Sequence, residues 1–285
     1  MRFYDQQHDF YCGIDLHARR MYLCILDREG NKRLHRNMQA KPRDFLRAIK
    51  DYREDVVVGA ECMFTWYWLA DLCRDENIKF ILGHALYMGA IHGGKKKNDK
   101  IDSEKIARIM RGGTFPMSYV YPREMRATRD LLRRRTFLTR QRSQLLGHVQ
   151  IVNQQYNLDR FEKSLKQACN RDVLDRFAPD GARQNVEADL HMIGCYDQLL
   201  NKVETDLVQQ AKVQDPQSCH RLQTIPGVGK TLSLVMLYEM HTIDRFPTVG
   251  DFLSYARLVT PKQISDGKVT GHGGARIGNA HLKWA

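Results

Sequence analysis

The chain has 285 residues, of which 42% are hydrophobic and 27% are charged. This length and balance predict a globular protein of two modest domains, or of one domain with a helical insertion. No apolar run is long enough for a membrane span and no secretory signal is recognisable, so we expect a cytoplasmic protein without a membrane partner. Lys and Arg number 45 against 33 Asp and Glu, and the net charge of +12 favours nucleic acid as partner.

The first part of the chain alternates between strand and helix patterns. The stretch "FYCGIDLHARRMYLCILDREGNKRLHRNM" predicts three strands of a mixed sheet, and a helix follows near residues 42–52. The segment "DVVVGAE" predicts a buried strand that ends at Glu61, before a helix in "TWYWLADLCRDEN" and a strand in "KFILG". This alternation predicts an α/β domain within residues 1–120.

The remaining chain predicts helices. Residues 121–215 contain apolar positions 131, 138, 145, 149 and 152 on one stripe, and a second stripe runs from Val186 to Leu207. These stripes indicate two long amphipathic helices that form an antiparallel, coiled-coil-like hairpin. Residues 216–285 predict a small, Gly-rich α-helical C-terminal domain.

Four acidic residues lie where strands end or a helix begins. Asp15 ends the first strand, Glu61 ends a later one, and Asp99 and Asp102 open the predicted helix "DKIDSEKIARIM" on one face. Carboxylates brought together would raise one another's pKa unless cations neutralised them, and Mg²⁺ ions are the usual partners in phosphoryl transfer. Each residue alone is also explained by a turn, a surface position or a helix cap, so the metal site is a hypothesis about the set.

Basic residues surround this acidic set and continue along the chain. Residues 123–142 hold eight arginines against Glu124 and Asp130, a net charge of +6. We expect phosphate contacts from this helix and from the lysines around Asp99. The alternative is a solvated helix face whose arginines pair with acids elsewhere. The predicted contact residues are Lys95, Lys96, Lys97, Lys100, Arg126, Arg129, Arg133, Arg134 and Arg140.

The segment "GVGKT", residues 227–231, resembles the end of an ATP-binding P-loop. Thr224 occupies the position of the first glycine of that motif, and the preceding segment does not read as a buried strand, so we reject ATP binding. A helix–hairpin–helix fits better, with Gly227 and Gly229 exposing backbone N–H groups to a DNA phosphate and Lys230 adding charge. A plain helix–helix turn is the alternative.

Three segments together resemble a known family. "GIDLHARRMYLCILDREG", "VVGAECMFTWYWLADLC" and "KKNDKIDSEKIARI" are similar to the RuvC-like half of the DEDD insertion-sequence transposases, which include Piv-type DNA invertases and bridge-RNA-guided recombinases. The resemblance implies a ribonuclease-H-like fold in which Asp15, Glu61, Asp99 and Asp102 are catalytic and hold Mg²⁺. It further implies a DNA substrate, a noncoding guide RNA, and a site shared between protomers of a homodimer or homotetramer.

The segment "ISDGK" contains Ser265, which on its own reads as a turn residue in a polar loop. It resembles the E-S-x-G-K segment of the same family, which implies that Ser265 is the nucleophile and forms a phosphoserine link, with Lys268 as a DNA contact. Ile264 departs from the pattern, because the family has an acidic residue there. The family also continues with a further helical segment, so we expect a shortened C-terminal domain.

These observations favour a DNA transposase or site-specific recombinase. Two alternatives stay open. A RuvC-like nuclease would hydrolyse DNA with metal-bound water and would not need Ser265. A catalytically inactive remnant would bind nucleic acid tightly and in a salt-sensitive way, without Mg²⁺-dependent strand exchange.

Overall fold

The computed structural model describes residues 2–91, 98–214, 216–260, 262–273 and 277–285. The chain forms two compact units, Met1–Arg123 and Glu124–Ala285. The unit boundary lies three residues beyond the expected end of the α/β domain. The finer division of the second unit near residue 215 stays a prediction.

The first unit is built on a seven-stranded mixed sheet, which confirms the predicted α/β class. Its order is β1-β7-β6-β5-β2-β3-β4, in which β2, β5 and β6 are parallel and the other pairings are antiparallel. The strands are β1 Phe3–Tyr4, β2 Phe10–Leu16, β3 Arg20–Asp27, β4 Lys32–Gln39, β5 Val56–Glu61, β6 Lys79–Gly83 and β7 Phe115–Ser118.

Helices cover both faces of this sheet, as the nearly continuous apolar runs of β2 and β5 require. The helices are α1 Pro42–Ile49, α2 Tyr67–Asp75, α3 Ala85–Ile91 and α4 Asp99–Arg111. On one face, side chains of α1 and α2 pack with alternate residues of β2, β3 and β5. On the opposite face, Ile106, Ala107 and Met110 of α4 pack with the intervening residues, among them Tyr11 and Val57. Asp15 and Glu61 follow the second phase of this alternation and therefore lie on the α4 side of the sheet.

The second unit contains the predicted helical hairpin. Its long helices are α5 Arg123–Gln155 and α6 Asp180–Gln214. Ion pairs join Arg135 to Glu204 and Arg142 to Asp197, so partners descend along α6 as residues ascend along α5, which is the antiparallel arrangement. Val149 and Val186 are fully buried in the apolar seam. Among the described helices, none combines the length and the apolarity that crossing a membrane requires.

The C-terminal part of this unit is mainly helical, as predicted, and adds a two-stranded hairpin that was not predicted from the sequence. It contains helices α7 Pro216–Gln223, α8 Lys230–Met240, α9 Val249–Tyr255 and α10 Ala280–Trp284, but also strands β8 Lys262–Ser265 and β9 Lys268–His272. The two strands form an antiparallel hairpin. Asp266 and Gly267 make its two-residue turn with positive φ values of 49° and 72°, the conformation that Asp-Gly sequences favour.

Candidate active site

Asp15 and Glu61 lie at the carboxyl ends of two neighbouring parallel strands. The register of β2 and β5 pairs Ile14 with Ala60, so Asp15 and Glu61 are the next residues along each strand, on backbones about 4.8 Å apart. Both are partly buried. The parallel arrangement brings together two side chains that are 46 positions apart in the sequence.

Helix α4 brings Asp99 and Asp102 to the same place. Its N-cap is Asn98, whose side chain accepts a hydrogen bond from the backbone N–H of Lys100. Asp99 and Asp102 therefore occupy the first turn, where the partial positive charge of the helix N-terminus favours carboxylates.

Two glycines allow α4 to approach the sheet closely. A Cβ atom on Gly13 would lie 2.3 Å from the backbone oxygen of Ser103 and 2.4 Å from the backbone nitrogen of Ala107. A Cβ atom on Gly59 would lie 2.2 Å from the Sδ atom of Met110. Because neither glycine has a side chain, α4 rests directly on the backbones of β2 and β5, and its first turn is held above their carboxyl ends.

At this edge of the sheet, the side chains of Asp15, Asp99 and His17 form a compact polar cluster. The Nε2 atom of His17 is 3.4 Å from an oxygen of Asp15 and 3.6 Å from an oxygen of Asp99. One ligand atom from each of the three residues lies within 4.8 Å of the others. The cluster is open to solvent on one side, since the side chains of Asp99 and His17 are 56% and 57% exposed.

Electrostatics at Asp15 reflect this crowding. Burial raises the pKa of Asp15 above its ordinary value, His17 acts in the opposite direction, and the negative charges of Asp99 and Asp102 raise the pKa further. The Nζ atom of Lys105 lies 3.5 Å from Asp102. The carboxylates of Asp15, Asp99 and Asp102 therefore repel one another, and a divalent cation bound at this site would relieve that repulsion.

The donor set suits a divalent cation with an open coordination sphere. Carboxylate oxygens are the ligands that Mg²⁺ and Mn²⁺ prefer, and Mg²⁺ usually keeps several waters and binds through one or two carboxylates. Asp15 and Asp99 would hold the ion, with Glu61 and Asp102 beside them. The nitrogen of His17 is a donor that suits transition metals better than Mg²⁺.

Sequence reasoning missed His17, Gly13 and Gly59. Each lies within a segment that resembles the family, but the sequence signal that would single it out is weak. The position of His17 depends on the turn after β2, where its N–H donates to the carbonyl of Arg20. The role of the two glycines depends on where α4 packs, which only the folded chain shows.

Of the lysines predicted to flank the carboxylates, the structure describes Lys100. Lys95, Lys96 and Lys97 lie outside the described residues. Lys100 is exposed in the first turn of α4, and its carbonyl accepts hydrogen bonds from the side chains of His35 and Ser103. Its ammonium group therefore remains an expected phosphate contact.

The prediction of phosphate contacts from the arginine-rich start of α5 needs a correction. Arg129 is buried and Arg133 is partly buried, and both hydrogen-bond the carboxylate of Glu239 of α8 at 2.7–3.0 Å. Arg126 is also buried. Arg129 and Arg133 therefore serve the interior of the unit, as the alternative of internal pairing anticipated, because a buried carboxylate must be neutralised. Arg134 and Arg140 are exposed and stay predicted phosphate contacts.

Glu239 is the centre of a buried polar cluster. Its side chain is 1% exposed and also accepts a hydrogen bond from Asn279 Nδ2 at 2.8 Å. Burial acts to raise the pKa of Glu239, but hydrogen bonds and charge from Arg133 and Arg129 outweigh it and hold the pKa below its ordinary value. Asn279 also caps α10 with its Oδ1 atom, so the cluster joins α5, α8 and α10.

In the segment 224–231 a glycine turn joins two helices, as both the helix–hairpin–helix prediction and the alternative of a plain helix–helix turn expect. Helix α7 ends at Gln223 and α8 begins at Lys230, and Gly227 takes the positive φ of 88° that the turn requires. Gly229 is the N-cap residue of α8 and has no side chain to cap it. A Cβ atom added to either glycine would meet no atom within 4 Å. Helix α7 precedes the loop, whereas a P-loop follows a strand. Contact of Gly227, Gly229 and Lys230 with DNA stays a prediction.

Ser265 lies at the tip of the β8–β9 hairpin, not in a loop. It is exposed, directly precedes the Asp266–Gly267 turn and pairs in register with Lys268, which is also exposed. Side chains of directly opposed residues share a face of a hairpin, with Cβ atoms about 5 Å apart. The hydroxyl of Ser265 and the ammonium of Lys268 are therefore presented together at an accessible tip.

Comparison with known families gives two matches. Residues 12–157 match the model DEDD_Tnp_IS110, described as a transposase. Residues 219–285 match the model described as the transposase IS116/IS110/IS902 family. The first match contains the four carboxylates and the second contains Ser265. No curated protein matches the chain significantly.

Proposed function

Because the chain belongs to the IS110-type DEDD transposase family, we propose that it recombines DNA by joining Ser265 covalently to a DNA phosphate beside a Mg²⁺-binding carboxylate site. Membership makes the protein a DNA transposase or recombinase, with a ribonuclease-H-like catalytic unit, DNA binding and use of a divalent metal. The identity of the metal, the serine nucleophile, the guide RNA and the assembly are proposals.

One observation carries the proposal. Asp15 and Asp99, 84 positions apart in the sequence, have carboxylate oxygens that meet with His17 inside 4.8 Å at an open edge of the sheet. Glu61 and Asp102 belong to the same edge by strand register and by their position on α4. A bound Mg²⁺ would neutralise these carboxylates and withdraw charge from a phosphate oxygen.

In this proposal, different residues of the chain bind the metal, attack the phosphate and stabilise its negative charge. Asp15 and Asp99 would hold the ion, and Glu61 and Asp102 would complete the negative environment. The oxygen of Ser265 forms a bond to phosphorus, the bond from phosphorus to a deoxyribose oxygen breaks, and the hydroxyl proton ends on the leaving oxygen. The phosphodiester energy is conserved in the serine link, so a later attack by a DNA hydroxyl can rejoin strands without an external energy source. Lys268 stabilises the negative charge of the attacked phosphate.

A covalent-adduct assay tests this division. The protein is incubated with Mg²⁺, its donor DNA and RNA transcribed from the DNA flanking its gene, and protein–DNA adducts are separated by denaturing electrophoresis. Ser265→Ala should abolish the adduct and retain DNA binding, whereas Ser254→Ala, at an exposed serine of the same unit, should retain both. An adduct that persists in Ser265→Ala refutes the nucleophile. Free DNA ends made by Ser265→Ala would support hydrolysis instead.

The carboxylates are tested in the same assay. Asp15→Asn and Asp99→Asn should each lower the adduct yield by at least about 10²-fold, the size expected when charge stabilisation in the transition state is lost. Asp51→Asn, an exposed aspartate of the first unit outside the cluster, should behave as wild type. Full activity of Asp15→Asn would exclude the carboxylate site.

The guide RNA and the assembly are tested by purification. We expect one defined noncoding RNA to remain with the protein at moderate salt, and strand exchange to be lost after treatment with ribonuclease. We expect dimers or tetramers in which mixed protomers, one carrying Asp15→Asn and the other Ser265→Ala, restore adducts because the two halves of a site come from different protomers. Heterogeneous cellular RNA, or no restoration in mixtures, would contradict these parts.

A further inference from the structure

A basic notch lies beside the carboxylate cluster and is absent from the predicted contacts. Its volume is about 460 Å³, and it is lined by Ala18, Arg19, Arg20, Gln39, Ala40 and Lys41. The lining comes from the turn between β2 and β3 and from the connection between β4 and α1. Three of the six residues are cationic and none is acidic, so the charge of the notch favours an anion.

The cations of the notch are available for a ligand. Arg19 and Lys41 are exposed and make no side-chain ion pair with the part of the chain that the structure describes. Arg20 uses one donor, its Nε atom, to bind the side-chain oxygen of Asn37 at 3.0 Å, which orients the guanidinium and leaves its terminal nitrogens unused by described residues. Arginine in this state suits bidentate contact with a phosphate.

The notch has a fixed backbone. The N–H of His17 donates to the carbonyl of Arg20, and the N–H of Ala40 donates to the carbonyl of Arg19. The first bond closes the turn after β2, and the second ties this turn to the end of β4. A site whose walls are already held in place loses less conformational entropy when it binds.

The position of the notch relates it to the metal cluster. Tyr22 of β3 pairs directly with Asp15 of β2, and Arg20 is two residues from Tyr22, on the same face of the sheet. The backbone positions of Arg20 and Asp15 are therefore diagonal neighbours, about 7–8 Å apart. The turn between them carries His17, whose ring contacts both Asp15 and Asp99.

We propose that the notch formed by Arg19, Arg20, Gln39 and Lys41 binds the DNA backbone phosphate that neighbours the phosphate at the carboxylate cluster. This inference rests on the proposed function, since it takes DNA to occupy that cluster. A notch that is open, cationic and next to the reacting phosphate fits a continuing strand better than a free small anion, which would need enclosure. Its effect is to fix the strand in register with the carboxylates.

The salt dependence of DNA binding tests the notch. A fluorescein-labelled DNA duplex of mixed sequence is titrated by anisotropy at several salt concentrations, without divalent metal. Each phosphate contact that is lost makes the slope of log K against log salt less steep by roughly 0.9, so Arg20→Gln with Lys41→Gln, which removes the one phosphate contact of the notch, should lower its magnitude by roughly 0.9. The charge-conserving pair Arg20→Lys with Lys41→Arg should restore most of it.

A matched control separates a local contact from net charge. Lys50→Gln with Lys79→Gln removes the same charge from exposed positions of the first unit away from the notch, and should leave the slope within about 0.3 of wild type if only bound phosphates count. Equal slopes for the notch pair and the control pair would overturn the proposal. A change seen with an RNA duplex but not with DNA would overturn it as well.

The notch and the proposed function fail in different experiments. If Asp15→Asn keeps forming adducts, the carboxylate function is wrong whatever the salt slopes are. If Asp15→Asn loses adducts while the notch pair retains the wild-type slope, the function stands and the notch is wrong.

Discussion

Replacing Gly13 by alanine should damage both the stability of the first unit and its chemistry. The added Cβ would lie 2.3 Å from the carbonyl oxygen of Ser103, and ordinary contact begins near 3.4 Å, so α4 must move by about 1 Å. The two nearest atoms, the oxygen of Ser103 and the nitrogen of Ala107, belong to the backbone of α4, so a side-chain rotation cannot relieve the contact. Overpacking of this kind costs about 1–3 kcal/mol.

The same movement carries Asp99 and Asp102 away from Asp15. A misplacement of about 1 Å in a catalytic arrangement costs on the order of 10²-fold in rate. Urea unfolding and the adduct assay should therefore both respond to Gly13→Ala, and the loss of adduct should persist at temperatures where the variant remains folded by circular dichroism.

Two further glycine variants make the test quantitative. Gly59→Ala meets the Sδ atom of Met110, which belongs to a flexible side chain, so its cost should be about 1 kcal/mol. Gly89→Ala, in α3, meets no atom within 4 Å and should be neutral or stabilising. Wild-type unfolding and wild-type adduct yield for Gly13→Ala would refute the view that the bare strand backbone positions α4.

Four other predictions concern three separate parts of the chain. Glu239→Ala should destabilise the second unit by about 3–5 kcal/mol in urea unfolding, because Arg129 and Arg133 lose their buried partner; a loss below about 1 kcal/mol would contradict the polar cluster. Because the pKa of Glu239 is lowered on folding, its stabilisation is complete above the ordinary value of 4.5 and is lost as the pH falls through the lower folded pKa; Glu239→Gln should reduce that acid dependence, and an unchanged pH profile would count against it. His17→Ala should weaken Mn²⁺ binding by roughly tenfold in calorimetry, since its Nε2 atom adjoins both carboxylates, and an unaltered affinity would exclude His17 from the site. Gly267→Ala should strain the turn by about 1–2 kcal/mol at its positive φ of 72° and lower adduct yield without changing DNA affinity; an unchanged yield would mean that the hairpin geometry does not position Ser265.

The elements that carry the carboxylates were predictable because their patterns are local. The apolar run before Glu61 reads as a buried parallel strand, and the Asn-Asp start of α4 reads as a helix N-terminus. The register that places Asp15 beside Glu61 was not readable from the sequence. It depends on the pairing of β2 with β5. These strands are neighbours in the sheet, but β3, β4 and α1 lie between them in the sequence.

The errors have physical causes as well. Arg133 reads as part of a phosphate-binding helix because Glu239, its partner, is 106 residues away in the sequence. The strand β7 was missed because four residues that include Pro116 give a weak strand pattern. The hairpin around Ser265 was readable, since Asp-Gly between short strand segments is a strong signal for a two-residue turn, but the glycine-rich surroundings favoured a loop.

The central claim is that the carboxylates at the ends of β2 and β5 and at the start of α4 hold a divalent cation. Crystals grown with Mn²⁺ test it through anomalous scattering. We expect an anomalous peak within bonding distance of one oxygen of Asp15 and one of Asp99, and we expect it to disappear in Asp15→Asn crystals. A cluster without a peak at saturating Mn²⁺, or a peak that survives Asp15→Asn unchanged, would contradict it.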